Sequence, residues 1–83
     1  MFGLKPSKFT EFCGWYGMLA LILAYGLASF NIIIANGVVF QLLNITAALG
    51  LMIVAASKSV LQLVVLNAVW VLIGVVVFIR LVL

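Results

Sequence analysis

Few side chains in this sequence are able to take part in acid–base or metal chemistry. It contains no histidine, and Glu11 is its one carboxylate side chain. A single chain therefore offers neither a pair of carboxylates for general acid–base work nor the usual ligand of haem and zinc. Cys13 is the one thiol, and it lacks the histidine that would activate it as a nucleophile. We therefore expect no enzymatic activity and no cofactor or metal site.

The polar residues that need an explanation are two asparagines, Asn44 and Asn67, which interrupt long apolar runs. A buried amide without a partner costs free energy, and in membranes such groups usually form hydrogen bonds between helices. The amide of Asn67 could in this way reach a backbone carbonyl of a neighbouring helix. The same side chains could also line a path for a solute or an ion.

Depth along the helices indicates which residues accompany these amides. Counted at about 1.5 Å per residue, Tyr25 lies at a depth similar to that of Asn44, with Gln41 one turn away. Trp70 follows Asn67 at a spacing of three residues, on the same side of a helix. We therefore predict one intramembrane polar and packing site formed by Tyr25, Gln41, Asn44, Asn67 and Trp70.

The composition identifies the solvent in which these residues must work. Hydrophobic residues make up 70% of the 83-residue chain and charged residues 6%, against about 45–50% and about 25% in soluble domains. A soluble domain of this size leaves most side chains in water, which so few charges could not cover. The four Lys and Arg residues flank apolar runs and are too few for a nucleic-acid surface. We therefore expect one integral membrane domain over residues 1–83, with lipid and not nucleic acid as its partner.

The apolar runs divide the chain into three membrane spans. No residue from Phe12 to Ser57 is charged, and about 20 residues are enough to cross the hydrocarbon core, so this stretch must turn once. The turn is expected between Asn31 and Gly37, where Asn36-Gly37 is a strong turn dipeptide. The isoleucines at 32–34 either extend the first helix or lie at the membrane surface. The predicted spans are about Phe12–Phe30, Val38–Ala56 and Val60–Ile79.

Helices are the only secondary structure that suits these spans. Membrane strands alternate apolar and polar residues, which these runs do not do, and three strands cannot close a barrel. The fold class is therefore an all-α membrane protein with three transmembrane helices in an up-down-up bundle. Residues Met1 to Thr10 form a polar head in which Pro6 and Ser7 should break any helix. The first apolar run is longer than that of a signal peptide, so we expect no cleavage.

The positive charges predict the orientation. Three spans place the N-terminus and the second turn on one side, together with Lys5, Lys8 and Lys58, whereas the other side carries Arg80. Lysine and arginine favour the cytoplasmic side, so a cytoplasmic N-terminus and an outside C-terminus in the cell inner membrane are expected.

Two local features accompany that orientation. The aromatic side chains of Phe12, Trp15 and Tyr16 should then form an interfacial belt on the cytoplasmic side. Lys8 and Glu11 are spaced to form an ion pair on one face of a helix.

Short motifs in all three spans resemble those of a family of small uncharacterised bacterial integral-membrane proteins. That family shows Ala-Tyr in its first span, Gln-Leu-Leu-Asn in its second and Leu-Asn-x-x-Trp in its third. The corresponding residues here are Ala24-Tyr25, Gln41-Leu42-Leu43-Asn44 and Leu66-Asn67-Ala68-Val69-Trp70. The resemblance implies three spans and a shared inner face that contains the five candidate residues, and it implies no activity.

A second resemblance is to the small three-helix sugar transporters, which act as dimers and carry Pro-Gln in their first helix. This chain has no proline after Pro6, so the residue that permits bending of that helix is missing.

Two functions follow as expectations. The first is a self-associating or accessory subunit of a membrane complex, whose partners are further copies or other membrane subunits. The alternative is an oligomeric transporter or channel for a small solute, with Asn44 and Asn67 lining the path. A dry bundle that satisfies both amides within one protomer would argue against the alternative.

Overall fold

Three helices make up most of the computed structural model, which describes residues 1–34 and 37–83. They are α1 (Lys8–Ser29), α2 (Val38–Ser57) and α3 (Leu61–Val82). Each is long and apolar enough to cross a membrane. The described residues contain no strand. The prediction of an all-α fold with three membrane helices is confirmed.

Helix α1 begins at Lys8, four residues before the predicted start of the first span at Phe12. Its N-cap is Ser7, whose Oγ accepts a hydrogen bond from the Thr10 N–H at 3.3 Å. In return Thr10 Oγ1 accepts from the Ser7 N–H at 2.9 Å. This reciprocal capping box satisfies backbone donors that would otherwise lack partners, so Ser7 starts a helix where we expected it to break one.

The C-terminal ends of α1 and α2 are built in the same way. Asn31 follows α1 with a φ of 60°, and Ser59 follows α2 with a φ of 59°. The next N–H in each case returns to the helix: Ile32 donates to the Leu27 carbonyl at 2.9 Å and Val60 to the Ala55 carbonyl at 3.0 Å. These are Schellman motifs, which satisfy the last carbonyls of a helix and turn the chain away from it.

The first turn therefore starts at Asn31, within the predicted region, and residues 32–34 lie beyond the end of α1. Gly37 is the N-cap of α2. The other member of the predicted turn dipeptide, Asn36, lies outside the described residues.

Helices α1 and α2 pack with their backbones in contact. A Cβ added at Gly50 would lie 2.5 Å from the Cys13 carbonyl oxygen, and one added at Gly17 would lie 2.6 Å from that of Ala47. Ala24 and Ala47 are completely buried. Small residues allow membrane helices to approach this closely, and close approach increases dispersion contacts that lipid cannot replace.

Helix α2 is the centre of the structure. Both α1 and α3 pack against it, and no Cα atom of α1 lies within 8 Å of a Cα atom of α3. Most buried residues accordingly belong to α2, whereas Gly74 is the buried residue of α3. The three helices thus form an open array with α2 between two walls.

An ion pair joins the start of α1 to the turn between α2 and α3. Lys58 Nζ lies 2.8 Å from Glu11 Oε1, and both side chains are about half exposed. The partner of Glu11 is therefore Lys58 across the fold and not Lys8 along the helix. An exposed pair contributes at most about 1 kcal/mol, so its main value here is to show that these two ends lie together.

Candidate functional site

The open arrangement leaves a groove of about 430 Å³ between α1 and α3, with α2 as its floor. We call this space the groove. It extends from Lys58, at one end of the fold, to Tyr25 and Asn44 towards the other. Its lining residues are Leu21, Tyr25, Asn44, Ala48, Leu51, Val54, Ala55, Lys58, Val60, Leu63, Leu66, Asn67 and Trp70.

A hydrogen bond between two side chains connects the floor of the groove to its α3 wall. The Trp70 indole N–H donates to Asn44 Oδ1 at 2.9 Å. Asn44 is 7% exposed, whereas the Trp70 ring is partly open to the surroundings. Because the indole is a large apolar group with one donor, the bond fixes both its position and the orientation of the Asn44 amide.

Asn67 satisfies its amide donor within its own helix. Its Nδ2 donates to the Leu63 carbonyl at 2.8 Å. From the sequence we expect this amide to reach a backbone carbonyl of a neighbouring helix, whereas in the structure it reaches one of its own helix. Back-bonding of this kind lets a polar side chain enter lipid alone, while the amide oxygen keeps its capacity to accept a bond.

Tyr25 faces the groove from α1, where its side chain is half exposed. Its ring meets Phe40 edge to face, with ring centres 6.0 Å apart. Tyr25 and Asn44 border the same cavities, but no hydrogen bond joins them. The Tyr25 hydroxyl also makes no hydrogen bond to another described residue.

Gln41 lies in a second cavity of about 350 Å³ that continues from the groove. Tyr25, Asn44 and Trp70 border both spaces. Gln41 is 3% exposed, and α3 passes close to it at Gly74, where an added Cβ would lie 3.5 Å from Gln41 Oε1. The structure thus brings all five predicted residues to the borders of two adjoining cavities.

Three polar groups at the groove keep free hydrogen-bonding capacity. Among the described residues, Asn44 Nδ2, Asn67 Oδ1 and the Tyr25 hydroxyl have no hydrogen-bond partner in this protomer. In lipid such groups gain free energy from a partner on another helix, by about 0.6–2 kcal/mol each. The groove therefore offers hydrogen-bond donors and acceptors for association with another helix.

One polar contact between α1 and α2 is not predicted from the sequence. The Tyr16 hydroxyl donates to Thr46 Oγ1 at 2.8 Å, and Thr46 in turn donates to the Leu42 carbonyl at 2.8 Å. We had placed Tyr16 in an interfacial aromatic belt. The signal for this contact was Thr46 itself, because a polar side chain within an apolar span often forms a hydrogen bond to another helix.

These features define the class of protein: a small multi-pass membrane protein whose three helices leave a polar-edged groove open on one side. The chain belongs to an uncharacterised protein family, whose model matches residues 10–83. This agrees with the resemblance to an uncharacterised family, while a bacterial origin and the three motifs stay predictions. No curated protein and no solved structure matches the chain.

Proposed function

We propose that this protein is an assembly subunit of the membrane, which associates with further copies of itself or with other membrane subunits through the open side of the groove. The observation that carries this proposal is the free hydrogen-bonding capacity of Asn44 Nδ2 and the Tyr25 hydroxyl. Lipid chains cannot form hydrogen bonds to these two groups, whereas polar side chains of a neighbouring membrane helix can.

The arrangement of the helices supports the same proposal. The backbones of α1 and α3 approach α2 and not each other, and the groove between them is open on one side. A helix from another subunit lying across the opening would cover the apolar walls and bring its own side chains to the polar groups. This is the usual way in which polar residues stabilise membrane assemblies.

The contacts favour association over transport. Each of the two asparagines has a partner in its own protomer, Trp70 for Asn44 and the Leu63 carbonyl for Asn67. The surfaces between them are mainly leucine, valine and alanine. A path for a polar solute needs a continuous series of polar groups, and this lining does not supply one.

The orientation in the membrane belongs to the same proposal. The Glu11–Lys58 pair supports the view that the start of α1 and the second turn lie at one surface. Lys5 and Lys8 lie close to the start of α1 in the sequence, whereas Arg80 lies near the far end of α3. The excess of lysines favours a cytoplasmic location for the surface that carries the start of α1 and the second turn. The C-terminus would then lie outside the inner membrane.

Two tyrosine variants test association. Tyr25→Phe removes a hydroxyl that has no partner among the described residues of the protomer, and Tyr16→Phe removes one that is bonded to Thr46. Native mass spectrometry after gentle extraction should show fewer assemblies for Tyr25→Phe than for the unaltered chain. Tyr16→Phe is the matched control, which should lower stability and leave the assembly unchanged. A chain that is extracted gently from its membrane with neither a further copy nor another subunit, or an unchanged assembly in Tyr25→Phe, would contradict the proposal.

A further inference from the structure

The Lys58 end of the groove differs in chemistry from the Tyr25 end. Apart from Lys58 itself, this half is lined by aliphatic side chains, which come from α2, from α3 and from Val60 in the turn. The residues are Leu51, Val54, Ala55, Val60 and Leu63. An apolar groove with a cation at one end suits an amphiphile that has a long hydrocarbon chain and a negatively charged head group.

The size of the groove selects a slender occupant. A helix about 10 Å across and about 20 Å long occupies on the order of 1,600 Å³. The groove provides about 430 Å³. The space therefore admits a partner's side chains or one flexible hydrocarbon chain, but no whole helix.

The charge at this end selects the head of the occupant. Lys8 begins α1 at this end, where Glu11 of the same helix contacts Lys58, and Lys5 precedes Lys8 by three residues. Glu11 is the one carboxylate side chain of the sequence. Glu11 contacts the Lys58 ammonium at 2.8 Å. The Lys58 side chain nevertheless remains 52% exposed and can bind a second anion. Anionic phospholipids are attracted to such clusters at the membrane surface.

The length of the groove agrees with a lipid held in its own leaflet. Lys58 and Asn44 are separated by fourteen residues of α2 and its C-cap, which is about 21 Å of helix. One leaflet of the hydrocarbon core is about 15 Å thick. A chain that starts at Lys58 would thus end near Asn67 and Trp70, before the polar groups of the Tyr25 end.

We propose that the Lys58 end of the groove binds one anionic phospholipid, with its phosphate on the Lys58 ammonium and one acyl chain in the groove against α2 and α3. This binding is separate from the proposed association, which uses the other end of the groove. The lipid would fill space that the helices leave open. The protein would therefore be more stable in membranes or leaflets that are rich in anionic lipid.

Trp70 provides the measurement, because it borders the groove and Trp15 is the one other tryptophan. The full chain carrying Trp15→Phe is reconstituted in vesicles that contain either phosphatidylglycerol or phosphatidylcholine with brominated acyl chains, at equal mole fraction. Bromine quenches tryptophan fluorescence on contact. We expect Trp70 to be quenched with about a five-fold preference for the anionic lipid, as one lysine at a membrane surface provides. Equal quenching by the two lipids would overturn the proposal.

Three variants locate the site. Lys58→Gln should abolish the preference, whereas Lys5→Gln, which changes a lysine outside the groove, should leave it unchanged. Glu11→Gln breaks the same ion pair but keeps the cation, so the preference should be at least as large as before. An equal loss in Lys5→Gln and Lys58→Gln would show general attraction to the surface and reject the site. A loss of the preference in Glu11→Gln would show that it needs the ion pair and not a free Lys58 ammonium. That result would also reject the site.

Discussion

The Trp70 indole N–H donates a hydrogen bond to Asn44 Oδ1 at 2.9 Å, and this bond joins α3 to α2. Helix α3 also approaches α2 closely at Gly74, its buried residue, where an added Cβ would lie 2.8 Å from Ile45 Cγ1. The bond orients the Asn44 amide so that its Nδ2 remains available at the groove. One contact thus contributes both to the fold and to the proposed association.

Loss of this bond should weaken the packing of α3 on α2. Trp70→Phe keeps an aromatic ring but removes the donor, and the buried Asn44 oxygen loses its partner. Hydrogen bonds between membrane helices contribute about 0.6 kcal/mol on average and up to about 1.7 kcal/mol. A double-mutant cycle of Trp70→Phe with Asn44→Leu, measured by reversible unfolding in bicelles, should give a coupling energy in that range. A coupling energy of zero would show that the bond contributes nothing.

The contact between α1 and α2 should not tolerate a side chain at Gly50. Gly50→Ala places a methyl group 2.5 Å from the Cys13 carbonyl oxygen, so the helices must separate. Overpacking of this kind costs about 1–3 kcal/mol, and unfolding in bicelles should show a loss of that size. Gly26→Ala is the control, because nothing lies within 4 Å of an added Cβ there. It should be neutral or slightly stabilising, since alanine favours a helix over glycine. Equal losses in both variants would contradict the packing argument.

The three helices were predictable because lipid leaves few choices for the backbone. A run without charge from Phe12 to Ser57 must satisfy its own N–H and C=O groups, and helices do so locally. The C-terminal ends of α1 and α2 were also close to the predicted turns, since Asn31 and Ser59 are polar residues next to apolar runs. These signals depend on residue type and sequence spacing alone.

The contacts between helices were less predictable because they depend on how each helix is rotated about its axis. Depth alone placed Tyr25 beside Asn44, but the partner of Asn44 is Trp70 and that of the Tyr25 ring is Phe40. The same limit applies to Tyr16, whose hydroxyl donates to Thr46 on α2, a contact that depth alone does not predict. Small residues at specific positions decide these rotations, and many of them occur along each helix.

The start of α1 was missed for a different reason. Ser7 and Thr10 are weak signals separately, and the usual capping box has Glu or Gln at the third helical position. Here Thr10 takes that role and is 2% exposed. The helix therefore extends beyond the apolar run, and hydropathy alone does not mark its first residue.

The turn between α2 and α3 should become more stable with glycine at its left-handed position. Ser59 has a φ of 59°, which a residue with a Cβ adopts at a cost of about 1–2 kcal/mol. Ser59→Gly should therefore raise the free energy of unfolding by a large part of that amount, as measured in bicelles. Ser29→Gly is the matched control, since Ser29 ends α1 in helical conformation. It should lower stability by about 0.5–1 kcal/mol. A loss of stability in Ser59→Gly would mean that the serine contributes more than its conformation costs.

The proposed orientation predicts which turn reacts with a reagent that cannot cross the membrane. Cys13→Ser removes the native thiol, and Asn31→Cys or Ser59→Cys then places one thiol in the first or the second turn. In intact cells a membrane-impermeant maleimide should label Asn31→Cys and not Ser59→Cys, because the proposed orientation puts the second turn in the cytoplasm. Both variants should react after the cells are opened, which controls for buried thiols. Labelling of Ser59→Cys alone in intact cells would reverse the orientation. Equal labelling of both in intact cells would contradict a single orientation, because the two turns lie at opposite ends of α2.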